Sequence, residues 1–254
     1  MTTAPHVPGW IELAGAHNVR DLGGLPAATG AVRPRVLLRG DNLDAVTAED
    51  IALLGERIGL RAVVDLRAPF ENPRAADWFD RHGIGWLHEP LLDLTGLTDP
   101  SVRVENASRD YPKLYAKMLQ LAGPGLARIL DFLVSGPRTP ALVHCAAGKD
   151  RTGVTVAVLL AAAGVAEDAI TADYLATADR IGIVRAALAR RPEYSHLRPR
   201  SGAADTRPPV DRGAILGVLT TLAATPGGAA GYLVANGATT AQLERWRDLL
   251  IEPS

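Results

Sequence analysis

Cysteine is scarcest in this 254-residue chain, with Cys145 the single copy. That excludes an internal disulfide framework and a cysteine-built zinc cluster. The six histidines, His6, His17, His82, His88, His144 and His196, form no close ligand pair, so no metal and no other cofactor is expected. Net charge is also missing. Against 28 acidic residues stand 27 basic ones, a balance of -1 that creates no overall field to gather nucleic acid or an anionic membrane. Lysine is rare, with only Lys113, Lys117 and Lys149 among the basic residues, a usage that fits a GC-rich genome. No apolar run reaches bilayer length. The longest, Gly153 to Ala166, covers 14 residues before Glu167-Asp168 and fits a buried helix, so stable membrane insertion is not expected. No basic cluster followed by an apolar stretch opens the chain, so a cytoplasmic location is expected, with export by a signal-less route left open.

What remains is a near-average globular composition, 47% hydrophobic and 22% charged, long enough for one domain with a full core. Short apolar runs alternate with helical patterns. Arg35–Leu38, Arg61–Leu66 (Arg-Ala-Val-Val-Asp-Leu), Gly85–Leu92 and Pro140–Cys145 read as strands. Thr47–Leu60 opens with a Thr-x-x-Asp cap and reads as a helix, and Pro69–Arg81 reads as helical in part. Two helices are predicted at Tyr111–Leu121 and Pro124–Val134, the second with proline in its first turn. Glu167–Arg190 reads as one or two more, followed by Ala214–Ala224, Ala229–Asn236 and Thr239–Ile251. Strands alternating with helices predict an α/β layer structure. Asp93–Ser108 is polar and turn-rich, and Arg191–Arg212 is rich in proline and arginine without periodicity; a stretch of that kind is usually a lid, a binding loop or disorder.

The chemistry concentrates in His144-Cys145-Ala146-Ala147-Gly148-Lys149-Asp150-Arg151-Thr152-Gly153. Five residues separate Cys145 from Arg151, between the end of a strand and the start of a helix. A tight loop entering a helix directs successive backbone N–H groups inward and adds the positive end of the helix dipole, which makes an anion nest. The backbone of Ala146, Ala147, Gly148 and Lys149 would line it, and Arg151 can close a planar fork on two oxygens of a tetrahedral anion. A cysteine in that field is a nucleophile in line with a phosphate ester, and attack would give a phosphocysteine for water to hydrolyse. Thr152 can donate to the sulfur as it leaves, while His144 is expected to order the loop. An NTPase phosphate loop is excluded, because Val143 and Asp150 stand where it needs Gly and Ser or Thr.

This string resembles the Cys-x5-Arg-Thr signature of bacterial tyrosine and lipid phosphatases. Asn18-Val19-Arg20-Asp21-Leu22-Gly23-Gly24, Val64-Asp65-Leu66-Arg67, Ala172-Asp173-Tyr174-Leu175 and Gly231-Tyr232-Leu233 fit the same family. The resemblance implies a protein tyrosine phosphatase-like fold: a central, mostly parallel sheet flanked by helices, with a helical C-terminal part and a lid. A single phosphatase domain over 1–254 is expected, with the lid or insertion at about 183–212. Phosphotyrosine proteins or phosphoinositides are the partners expected for a monomeric enzyme, with phosphoserine and phosphothreonine in reach.

The leaving oxygen needs a proton donor. No Trp-Pro-Asp tripeptide supplies one; the resemblance implies Asp150, with Asp93 and Asp65 as alternatives. Asp65, at a strand end, equally reads as an anchor for Arg151 or Lys149. Lys149 reads either as a contact to a second phosphate or as a counter-charge to Asp150 and Asp65. In Asn18–Gly24 the simplest expectation is a Gly23-Gly24 turn braced by an Arg20–Asp21 ion pair, with Arg20 as a substrate contact the alternative. A silent phosphate-binding module would be expected to lack Cys145 or Arg151, and both are present.

Overall fold

The computed structural model describes residues 9–71, 79, 81–91, 110–197 and 210–254. Asp93, the 93–108 stretch and residues 198–209 lie outside the described residues.

The core is a six-stranded sheet in the order β1 (Gly9–Trp10), β2 (Arg20–Asp21), β5 (Leu37–Gly40), β8 (Ala141–His144), β6 (Ala62–Asp65), β7 (Gly85–His88). The last four in that order are mutually parallel, and β1 and β2 add an antiparallel edge. The sheet is therefore mostly parallel, as expected. Alternation along each strand sorts the core into two layers. Leu37, Ala62, Val64, Ala141 and Val143 face the helical layer. Leu38, Val63 and Leu142 face Leu54, Leu60, Phe79 and Ile84 on the other side. A small antiparallel sheet ties β3 (Pro26–Ala27) and β4 (Gly30–Val32) to the C-terminal strand β9 (Ile251–Pro253).

Thr47 caps α1 (Ala48–Ala52) through the expected capping box, Thr47 and Asp50 satisfying each other's backbone N–H, and a π-helical turn, Leu53–Ile58, continues it. Across Tyr111–Val134 the structure differs from expectation: one 24-residue helix, α2, runs through Pro124. Proline removes one helical hydrogen bond, but tertiary packing holds the helix together here. Gly123 lets the neighbouring chain approach closely, since a Cβ there would sit 2.0 Å from Asn236 Oδ1. The Tyr232 hydroxyl donates to the Leu119 carbonyl in the same turn.

α3 (Asp150–Ala162) is the predicted buried helix, with every residue from Thr152 to Leu160 buried. Around it pack α2, α4 (Glu167–Ala176), α6 (Arg212–Ala224) and α7 (Gly228–Ala235). α8 (Thr240–Leu250) locks on through Trp246, fully buried, whose indole N–H donates to the Leu159 carbonyl at 3.0 Å. α5 (Ile181–Leu188) and a 3-10 turn at Pro192–Leu197 lie in the predicted lid region. Among the described residues no single helix is long and apolar enough to cross a membrane.

Candidate active site

Register aligns Gly40, His144 and Asp65 at the carboxyl ends of β5, β8 and β6. Open α/β sheets place ligands at that edge. From it the chain runs through 145–149 directly into α3.

The loop's carbonyls show how its backbone is oriented. His144 Nδ1 lies 3.2 Å from the Cys145 carbonyl. The Ala146 carbonyl accepts from both the backbone N–H and the side-chain Nδ2 of Asn42, each at 3.1 Å. Asn18 Nδ2 donates to the Ala147 carbonyl at 3.0 Å and to that of Gly148 at 3.3 Å, and Arg39 Nη2 donates to Gly148 at 2.8 Å. Four consecutive carbonyls are thus held from outside. In a trans peptide the following N–H points the opposite way, so the N–H groups of Ala146, Ala147, Gly148 and Lys149 turn inward. Inward N–H groups of this kind are the geometry that suits an anion, and the N-terminus of α3 adds its dipole. Gly148 makes the turn at φ +66, and a Cβ there would lie 2.4 Å from the Gly40 carbonyl oxygen.

Behind the loop, Arg20 is fully buried, donating to Asp173 Oδ1 (2.7 Å), to the Asp173 carbonyl, to Asn18 Oδ1 (2.7 Å) and to Thr177. Burial pulls its guanidinium down to about 10, against the pull of Asp173. The expected Arg20–Asp21 ion pair is not what forms. Neighbouring strand residues face opposite sides, and Asp21 instead accepts the backbone N–H groups of Gly23 and Arg35. Arg39 takes the other Asp173 oxygen at 2.6 Å. Arg20 thereby ties Asn18, which holds two of the loop carbonyls, to Asp173 and Thr177.

Arg151 is gripped by Glu71, Nη1 to Oε2 at 2.5 Å and Nη2 to Oε1 at 2.9 Å. Burial opposes both charges, yet this pairing raises the guanidinium and holds the Glu71 carboxyl below its ordinary range. Two of the five guanidinium N–H groups face Glu71, and Nη1 also lies 3.4 Å from the Leu66 carbonyl. Asp65, expected as an alternative anchor for Arg151, binds Arg67 instead, with Nε 3.0 Å from Oδ1 and Nη2 2.8 Å from Oδ2. Burial would raise the Asp65 carboxyl, but His144 and Arg67 hold it at about 2. His144 is itself buried, which lowers its pKa; its Nε2 is 3.7 Å from Asp65 and has no hydrogen-bond partner among the described residues.

Cys145 and Thr152 are both buried, and Thr152 Oγ1 also has no hydrogen-bond partner among the described residues. Lys149 is buried too, its Nζ 3.3 Å from Asp150 Oδ1 and 4.0 Å from the Tyr111 ring centroid. Val184, Leu188 and Tyr194, in the segment where a lid is expected, form one buried apolar cluster with Ala146. The Tyr194 hydroxyl donates to Glu71 at 3.2 Å, and Arg191 binds Asp44 and Asn42. No group of three or more His, Cys, Asp or Glu side chains is arranged for a metal ion among the described residues.

Residues not anticipated from sequence are Glu71, Asn42, Arg39 and Tyr194. Asn18 and Asp173 stand out in the sequence only as members of longer motifs.

Residues 11–252 match the tyrosine phosphatase family. The chain is 35% identical over 194 residues to a Cupriavidus necator chain bearing a tyrosine-protein phosphatase name, an alignment covering 69% of this chain and 68% of that one. It is 32% identical over 203 residues to the triple specificity protein phosphatase PtpB of Mycobacterium tuberculosis, covering 69% and 71%. It is 26% identical over 231 residues to a tyrosine-protein phosphatase of Nostoc commune, covering 85% and 74%. With a nest of inward N–H groups over a buried cysteine and the family pattern running nearly end to end, the chain belongs to the tyrosine phosphatase family.

Proposed function

We propose that the protein hydrolyses phosphotyrosine through a phosphocysteine intermediate on Cys145. One observation supports this: the carbonyls of residues 145–148 all have partners in the surrounding protein, which leaves the loop's N–H groups free to turn towards the oxygens of a phosphate. The Cys145 thiolate attacks phosphorus, the bond to the leaving oxygen breaks, and Asp150 supplies the proton that oxygen takes up. Water then attacks the phosphocysteine and gives a proton to Asp150, and the P–S bond breaks with Thr152 donating to the departing sulfur. Arg151, oriented by Glu71, uses its remaining N–H groups on the phosphoryl oxygens as charge spreads over them. Asp65 and Arg20 support the loop from outside in this scheme.

Tyr194, Val184 and Leu188 share one buried cluster with Ala146, which supports the 183–197 part of the region as a lid. The position of Lys149 against Asp150 and Tyr111 favours a role within the loop over a second-phosphate contact.

The test is phosphate release by wild type and Cys145→Ser, on phosphotyrosine peptides and phosphoinositides in parallel. Turnover of the peptide that vanishes in the variant supports the proposal. Turnover of lipid alone would reassign the substrate, and phosphate binding without turnover of either would make the site a recognition module.

A further inference from the structure

Tyr115 on α2 is fully buried, with its hydroxyl 2.9 Å from Asp150 Oδ1 and 2.7 Å from the hydroxyl of Tyr174 on α4. A tyrosine hydroxyl carries one proton. Because Tyr115 donates its proton to Asp150, Tyr174 must donate to Tyr115, giving a chain directed at the carboxylate. A buried hydroxyl needs a partner, and Tyr174 alone would supply one. Phenylalanine at 115 would fill nearly the same space, so the hydroxyl is spent on the single carboxylate at the junction of loop and helix. Lys149 Nζ approaches the same oxygen at 3.3 Å. Both donors converge on Oδ1, which leaves Oδ2 as the oxygen that carries the exchangeable proton.

We propose that Tyr115, backed by Tyr174, is a positioning residue that fixes which oxygen of Asp150 gives and takes the proton during phosphate transfer. This rests on Asp150 acting as acid and base, as proposed above. Among the described residues, the titratable and charged groups facing Asp150 are Lys149 on its own loop, Tyr115 on α2 and, behind it, Tyr174 on α4. Arg39 on β5 lies near Tyr174, and Cys145 shares the loop. A donor on Oδ1 also fixes the rotation of the carboxyl group, so removing it loosens the aim of Oδ2 and changes how the pH profile reads this group.

The experiment compares pH profiles of kcat/KM for wild type, Tyr115→Phe, Tyr174→Phe, Asp150→Asn and the Tyr115→Phe/Asp150→Asn double variant, on one aryl phosphate with a good leaving group and one alkyl phosphate with a poor one. Tyr115→Phe is expected to move the alkaline limb up by about half a unit to one unit. It should slow the alkyl ester about 2- to 10-fold more than the aryl ester. Tyr174→Phe should move the limb the same way by less, and the double variant should be no slower than Asp150→Asn. A Tyr115→Phe protein that melts like wild type and keeps the wild-type limb and ester ratio overturns the proposal. Should Tyr115→Phe fail to fold, the limb of Tyr174→Phe decides, displaced in support or unmoved in refutation. If Asp150→Asn itself keeps the alkaline limb, the assignment of Asp150 has failed, and this proposal with it, an outcome distinct from failure of the Tyr115 role alone.

Discussion

Replacing Glu71 by glutamine tests whether the arginine of the loop is oriented from outside it. Two donors converge on Glu71 Oε2, the Ala68 N–H at 2.8 Å and Arg151 Nη1, so the amide oxygen of a glutamine would settle there. Its NH2 then falls at the Oε1 position, 2.9 Å from Arg151 Nη2, donor against donor. Tyr194 can turn its hydroxyl to accept, so the damage is confined to one of the two charged hydrogen bonds to Arg151. A hydrogen bond to a charged group contributes about 1.5–3 kcal/mol. If that energy orients the guanidinium for the transition state, kcat/KM falls between about 10- and 150-fold. The assay is steady-state kinetics on a phosphotyrosine peptide, with thermal melting as the control for folding. A variant that melts like wild type and stays within about twofold of it in kcat/KM would refute the claim that Glu71 orients Arg151.

Gly148→Ala should cost about 1–2 kcal/mol for the left-handed backbone, plus about 1–3 kcal/mol for the clash with the Gly40 carbonyl, read by urea unfolding, and should remove phosphate affinity. Wild-type stability and affinity in that variant would contradict the backbone account of the nest. Arg191→Ala, which frees the 3-10 turn from Asp44 and Asn42, should speed inactivation of Cys145 by peroxide, and an unchanged rate would deny that this segment shields the thiol. Burial lowers the pKa of His144 from 6.5, so below pH 6.5 the unfolded chain binds a proton the folded one does not. Stability then falls with acidification, by up to about 1.4 kcal/mol per pH unit. Asp65, held at about 2, contributes stability that is lost only as pH falls from 3.8 towards that value, so it is silent in this window. Urea unfolding at pH 7.5 and 5.5 should show the slope in wild type and a shallower one in His144→Asn; a flat wild-type response would count against a neutral buried His144.

Much of this was legible in the chain because it is written locally. The buried helix α3, the capped start of α1 and the loop from Cys145 to Arg151 each lie within a dozen or so consecutive residues, where spacing and periodicity carry the signal. The parts that sequence reasoning missed are pairings across distance. Glu71 is one of 28 acidic residues, 80 positions from Arg151, and nothing around it marks the partnership. Arg20 finds Asp173 at a separation of 153 residues, whereas the sequence offered the adjacent Asp21, which strand geometry turns away. Pro124 reads as a helix boundary from local preference, and only the packing of Asn236 and Tyr232 on that turn explains a helix that continues.

The most direct test of the phosphocysteine pathway is acid-quenched mass spectrometry of the protein mixed with excess phosphotyrosine peptide. The predicted result is one phosphoryl group on Cys145 in wild type, with no phosphate release by Cys145→Ser. Turnover with no label on Cys145, or a Cys145→Ser protein as active as wild type, would contradict the account.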